Sequence, residues 1–276
     1  MELLDINSYF ILEPYLSKAE INTLFAGSVI EKKISGKVFV DRISNPMTFH
    51  VVHPYGMSLL LGDPYNEVFN KEFYDYALNI NQIRSKPEWL QAYPSGWDEV
   101  LAELFGGKMI KSSEINLNEE SGYVELCTRI NFKFNKCKYE SKCRRIIQDD
   151  CAIVRTDARI FEEMRGSVIP SLFWNNAGDF LSKGAGFTLL CDNKIAATAY
   201  SAFVHDGKLE LGIETAGGFR GRGFAELVCS ALIDYCIKNS YEPVWACRLE
   251  NSASFALAQK LGFEVCREIP YYRLCD

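Results

Sequence analysis

Basic character, metal-ligand spacing and long apolar runs are all scarce in this chain of 276 residues. Lysine and arginine number 30 against 36 acidic side chains, a net charge of −6, which removes any general electrostatic attraction to nucleic acid. There are three histidines. His50 and His53 lie in one apparent strand at a spacing that sends them to opposite faces, against joint ligation of a metal, and His205 stands alone. Packing or surface roles account for all three. Ten cysteines are present, but Cys127, Cys137, Cys143 and Cys151 are too widely spaced for a zinc site and read as ordinary thiols. Residues 44–62 carry no Asp, Glu, Lys or Arg, yet Asn45, Pro46, His50, His53 and Pro54 fall among them, so no membrane span is expected. The opening "MELLDINSYF" has acids where a secretory leader has Lys or Arg. A soluble, cytoplasmic protein with small-molecule partners is the expectation.

The length suits two domains, divided here as residues 1–140 and 141–276. In the second, "CAIVRT" reads as a strand, residues 157–166 as a helix, and "GFTLLCDNKIAATAYSAFVHDGKLELGIET" as three strands turning at Asp192-Asn193 and Asp206-Gly207. Helical spacing of Leu227, Ala231, Leu232 and Tyr235 follows, ending before Pro243. "PVWACRL" reads as a strand, and "NSASFALAQKLG" as a helix capped by Asn251 or Ser252 and closed by Gly262. "FEVCREIPYYRL" reads as a last strand interrupted at Pro270. A mixed, mostly antiparallel α/β (α+β) sheet with helices on its faces is the natural packing.

The first domain repeats this order faintly. "GKVFVDRI", "MTFHVVH" and "MSLLLGD" read as strands and residues 65–80 as a helix. "PEWLQAY" is a strand, "WDEVLAELFG" a helix, and residues 108–115 and 123–134 close the domain. Trp89 precedes Gly106 by seventeen positions, as Trp245 precedes Gly262, which suggests a duplication.

One stretch sets the copies apart. "TAGGFRGRGFAEL", residues 215–227, places four glycines and two arginines before a helix, whereas the first copy has "GDPYNEVFN", with one glycine and no basic residue. Glycines let successive N–H groups face one way, a helix start adds unpaired donors and a positive dipole end, and Arg220 and Arg222 add charge. This describes a cradle for phosphate. It is not a P-loop, because Phe224 follows Gly223 where Lys is needed, nor a dinucleotide fingerprint, because Glu226 holds the third glycine position.

Arg-x-x-Gly-x-Ala at Arg220, Gly223 and Ala225, after an antiparallel strand, resembles the acetyl-CoA signature of the GCN5-related N-acetyltransferases, the GNAT superfamily. "NSASFALAQKLGF", with Asn251 and Ser254 before a helix, is similar to a second family segment. The likeness covers roughly residues 145–276. A narrower resemblance, over most of the chain, is to the bacterial subgroup that includes zwittermicin A resistance acetyltransferases, through "IET", "RGRGFA", a tryptophan strand leading to Asn-x-x-Ser, and an extra N-terminal domain.

The resemblance implies a GNAT-like fold preceded by a smaller domain that is a degenerate GNAT-like copy, acetyl-CoA as co-substrate, and no metal. It implies that coenzyme A diphosphate lies on the N–H groups of Gly221, Arg222, Gly223, Phe224 and Ala225, beside Arg220, with Asn251 and Ser254 also on the cofactor. "LELGIET" would splay from its neighbour, pair with pantetheine, and polarise the thioester near Glu214 and Thr215. A small-molecule primary amine is the implied acceptor, placed between the two halves, and an oligomer is possible.

An alkyl amine with a pKa of about 10.4 is roughly one part in 2,500 neutral at pH 7, so a proton acceptor is worth about 4.6 kcal/mol. Glu210 and Glu214 share one strand face, with Gly212 between them keeping it open, and are the candidate catalytic carboxylates, Glu210 first. The tyrosine that protonates the leaving thiolate in many relatives is replaced by Ala258; Tyr271, Tyr272 or water are the substitutes. Two other readings stand beside the enzyme: an acyl-CoA-binding sensor without turnover, and a transferase using charged tRNA, which the acidic balance disfavours.

Overall fold

A computed structural model of the protein describes residues 1–114, 122–141 and 150–275. The chain forms two compact units. Unit 1 contains residues 1–130, 248–250 and 267–276, and unit 2 contains residues 131–247 and 251–266.

In unit 1, β1 (Glu2–Leu3), α1 (Glu13–Leu16) and α2 (Leu24–Ile30) precede an antiparallel meander of β2 (Lys37–Val40), β3 (Thr48–His53) and β4 (Met57–Gly62). Then come α3 (Glu67–Ala77), β5 (Glu88–Tyr93), α4 (Gly96–Phe105), a short β6 (Met109–Lys111) and β7 (Val124–Phe134), which continues into unit 2. β5 lies parallel to β4. The apolar faces of α3 and α4 explain the core: Phe69, Phe73, Tyr76, Trp97, Leu101 and Phe105 bury against Leu60 and Leu90.

Unit 2 adds α5 (Lys136–Glu140), β8 (Cys151–Arg155), α6 (Ala158–Glu163), α7 (Ala177–Lys183), β9 (Gly186–Cys191), β10 (Lys194–His205) and β11 (Lys208–Thr215). It continues with α8 (Phe224–Lys238), β12 (Glu242–Arg248), α9 (Ser252–Lys260) and β13 (Phe263–Leu274), whose residues 267–274 join unit 1. Both turns read from the sequence are present, with positive φ at Asp192, Asn193, Asp206 and Gly207, the geometry that suits a two-residue hairpin. β8, β9, β10 and β11 are antiparallel neighbours, and β12 is parallel to β11. The mixed, mostly antiparallel α/β fold with flanking helices is therefore present.

Several elements differ from the sequence reading. The helices expected at 65–80 and 157–166 shorten to Glu67–Ala77 and Ala158–Glu163, where Asn66 and Asp157 cap their starts. β6 ends at Lys111 in a 3-10 turn over Ser112–Glu114, and residue 115 is outside the described residues. β13 runs through Pro270 unbroken, since the ring's fixed φ is compatible with extended backbone. Cys151 is no ordinary thiol: it faces Cys191 directly across β8 and β9 and is disulfide-bonded to it. Cys143 lies outside the described residues. Cys127 is buried and Cys137 exposed, and desolvation beside Glu125 pushes the Cys127 thiol up to about 12.

No helix among the described residues is long and apolar enough to cross a membrane.

Candidate active site

β10 and β11 build the site. β10 contains a bulge, because its pairing with β11 shifts between Ser201 and Phe203. Trp174 Nε1 donates to Ser201 O at 2.8 Å, and Ser201 Oγ accepts from Ala185 N at 2.9 Å. These bonds satisfy strand groups that a regular ladder would have used, and a bulge re-aims nearby side chains. Opposite it lies Glu210, paired with Phe203 and buried.

β11 and β12 part company early. Their registered pairs are Lys208 with Glu242, Leu209 with Pro243 and Glu210 with Val244, so residues 211–215 run on without β12. In unit 1 the corresponding parallel strands stay together, from Met57 with Trp89 to Leu61 with Tyr93. Unit 2 thus has an opened strand edge where unit 1 has a closed ladder.

The glycine-rich turn begins where β11 ends. Phe219 N donates to Ala216 O, and Arg220 N to Gly217 O; beyond them, Gly221 and Gly223 take φ of +78° and +80°. Gly223 is the N-cap of α8 and provides no side-chain cap. Among the described residues, the main-chain N–H groups of Gly221, Gly223, Phe224 and Ala225 have no acceptor. Four donors at the positive end of a 15-residue helix form an anion cradle. Arg220 is exposed, with Nε donating to Thr215 O at 3.2 Å, and the exposed Arg222 guanidinium lies over the Phe219 ring. Glu226, the one acid in the first turn, is neutralised by Lys260 at 2.6 Å. In unit 1 the equivalent helix start is filled from within: Asn66 Oδ1 accepts from Phe69 N at 3.0 Å, and Asp63 Oδ1 from Tyr65 N at 3.0 Å.

The remaining candidates divide. Glu214 Oε2 accepts from Ser167 N and Val168 N, both at 2.9 Å, and Oε1 lies 3.6 Å from Arg220 Nη2. Gly212 does not keep their shared face open, because a Cβ there would meet the Tyr200 ring at 2.5 Å. The ring fills that space; Tyr200, the direct cross-strand partner of Gly212, carries no signal a one-sequence reading could use. Asn251 caps α9 through Ser254 N at 3.2 Å, and Ser254 Oγ accepts from Trp245 Nε1 at 3.1 Å. Both polar groups therefore have structural partners. Ala258 is fully buried. Tyr271 stacks on Trp89, and Tyr272 donates to Asp98 Oδ1 at 2.9 Å, all within unit 1, so the Tyr272 hydroxyl is already committed.

His50 and His53 are buried in unit 1, where desolvation lowers both to about 3, helped by the positive charges of Arg84 and Lys86 respectively. Sequence reasoning missed Arg84, whose Nε, Nη1 and Nη2 donate to the carbonyls of Tyr76, Ala77, Lys86, Leu274 and Cys275.

Comparison with known proteins gives the family and the fold. Residues 15–272 match the family described as GNAT acetyltransferase. The uncharacterized N-acetyltransferase YdfB of Bacillus subtilis (strain 168) is 26% identical over 253 residues, covering 90% of this chain and 89% of that one. A GCN5-related N-acetyltransferase-like protein from Streptococcus suis 89/1591 superposes with a TM-score of 0.68 at 18% identity, covering 97% of this chain and 99% of that one. A tandem GNAT protein from the clavulanic acid biosynthesis pathway gives 0.59 at 10% identity, covering 97% and 94%.

Proposed function

This chain belongs to the GNAT acetyltransferase family, and from that premise we propose that it transfers an acetyl group from acetyl-CoA to the primary amine of a small molecule, by direct attack on the thioester. The observation that carries the reading is the cradle made by the N–H groups of Gly221, Gly223, Phe224 and Ala225, placed at the end of a strand that has no β12 partner from residue 211 onward. Diphosphate suits the cradle: it is anionic, and backbone donors at a helix start bind such groups without a side chain. The free edge of β11 suits the amides of a pantetheine arm, and its N–H groups would stabilise the oxyanion of the attacked thioester.

In this reading Arg220 and Arg222 add charge beside the diphosphate. Glu210 takes the proton from the acceptor ammonium directly or through water, since it is a buried carboxylate whose strand neighbour is displaced by the bulge. Glu214 suits holding rather than proton transfer, because Oε2 accepts two main-chain N–H groups and Oε1 faces the Arg220 guanidinium. With Ala258 at the family tyrosine position and the Tyr272 hydroxyl bonded to Asp98, Tyr271 or water is left as the proton source for the departing thiolate, whose conjugate acid of pKa about 8.5 leaves with little help.

We read the domains at residues 1–140 and 141–276 as a degenerate and a working copy of one ancestral unit. In support, both show a three-strand antiparallel meander, a helix, a parallel strand and a second helix in the same order.

Isothermal titration with acetyl-CoA and CoA, followed by thiol release across a panel of primary amines, tests the reading. Micromolar binding and amine-dependent thiol release are expected; absence of binding at millimolar ligand overturns it. The buried Ala258 favours one second reading, a sensor that binds acyl-CoA without turnover. It predicts the binding and no thiol release with any amine.

A further inference from the structure

We propose that Glu214 is a positioning residue whose carboxylate fastens the segment at residues 166–168 to β11 and holds Arg220 toward the cradle. One side chain would then set both the order of that segment and the affinity for coenzyme A. The second half of this proposal rests on the reading of the cradle given above; the first half does not.

Glu214 stands at the end of β11 with its side chain 9% exposed, against 70% for Arg220. Oε2 receives two main-chain N–H groups from successive residues, Ser167 and Val168, and the Ser167 hydroxyl lies 3.5 Å away. That leaves Oε1 to face Arg220, whose Nε is fixed on Thr215 O. The approach is close enough to dictate the neighbouring residue. At Gly166, with φ +149°, a Cβ would come within 2.5 Å of the Glu214 carboxyl.

The ends of the segment are anchored independently. Arg165 Nη1 bonds Glu162 O and Met164 O, Pro170 is buried, and Trp174 is tied to Ser201 O beside the bulge. Its middle is held to β11 by Glu214. Phe173, just beyond the segment, packs on both Tyr200 and Phe203, so the chain that the segment leads into covers the strand face that carries Glu210. A carboxylate already receiving backbone donors and a guanidinium is suited to holding these groups rather than to shuttling protons.

Two substitutions separate the two duties. In Glu214→Gln the amide oxygen still accepts from Ser167 and Val168, but Arg220 loses its anion; Glu214→Ala loses both. Hydrogen exchange of residues 164–170 and titration with coenzyme A itself should be measured on wild type, both variants and Arg220→Gln. Protection of the Ser167 and Val168 amides should fall about tenfold in Glu214→Ala, as expected for a lost charge-assisted bond, yet stay within about threefold in Glu214→Gln and Arg220→Gln. Coenzyme A affinity should fall roughly three- to fivefold in Glu214→Gln, in the range of an exposed ion pair.

Unchanged protection in Glu214→Ala, or unchanged affinity in Glu214→Gln, overturns the proposal. If Glu214→Ala does not fold, Glu214→Gln decides: loss of protection and melting temperature together with unaltered coenzyme A affinity means a structural role only. Failure of wild type to bind coenzyme A refutes the functional reading instead, while hydrogen exchange in the ligand-free protein still decides whether Glu214 fastens the segment.

Discussion

His50 has neither ring nitrogen hydrogen-bonded among the described residues, and it sits against Phe39, Phe73 and Tyr76. In the unfolded chain a histidine takes its proton near pH 6.5, but the folded ring does so only near 3. Between those values the unfolded chain binds more protons, so stability falls as the pH drops from 6.5 toward 3, by about 1.4 kcal/mol per pH unit for each such histidine. His53 adds a second contribution of the same sign. His50→Leu should therefore be at least as stable as wild type at pH 7, since it removes an orphaned polar group, and should lose about one proton from the acid dependence. Denaturant unfolding at pH 7, 6 and 5 checks this; equal slopes for the two proteins would refute it. At this scale the sequence revealed residues whose role is local. The Asn251 cap and the paired positive-φ turns follow from chemistry within a few positions. It hid Arg84, Tyr200 and the partners of Glu214, because Arg84 reaches carbonyls as far as 191 positions away, Ser167 and Val168 stand 47 and 46 positions from Glu214, and Tyr200 meets Gly212 across strands.

Among elements, the turn before α8 was the most legible, because glycine and arginine spacing bears directly on backbone exposure. Gly221 separates conformation from space: a Cβ there would meet nothing within 4 Å, yet φ is +78°. Gly221→Ala should cost about 1–2 kcal/mol of stability through φ alone. It should also weaken coenzyme A binding roughly tenfold or more by misaligning donors to a charged group. Gly218→Ala, also with open space but no positive φ, is the matched control and should change affinity less than twofold by this reasoning. Equal effects from the two substitutions would count against an ordered cradle. The pairing of β8 with β9 was less legible, since Cys151 and Cys191 stand 40 residues apart. Closing a loop of that length is worth about 2–4 kcal/mol, so Cys151→Ser/Cys191→Ser should lose about that much in denaturant unfolding, with no further loss on adding reductant. Short helices such as α1 and α7 escaped because a single turn or two shows no usable periodicity.

For the whole molecule, the repeated element order was readable while the difference between the two helix starts was only partly so. "GDPYNEVFN" reveals the missing charge, but the closed β4 and β5 ladder and the Asn66 cap appear only in three dimensions. Titration should therefore give one coenzyme A per chain, not two. Ligand at about 100 times its dissociation constant should stabilise the protein by about 2.7 kcal/mol, read as a single upward shift in melting temperature. A stoichiometry of two would show that the first unit also binds.

Residues 272–274 of β13 pair with β5 inside unit 1, and Arg84 grips the carbonyls of Leu274 and Cys275. A ribosome delivers those residues only after all of unit 2. Throughout synthesis, the first sheet waits with the β5 flank uncovered, the sort of open backbone row that recruits foreign strands. The nascent chain therefore needs residues 272–275 before unit 1 is complete, and cutting the gene between the two units would orphan that flank permanently.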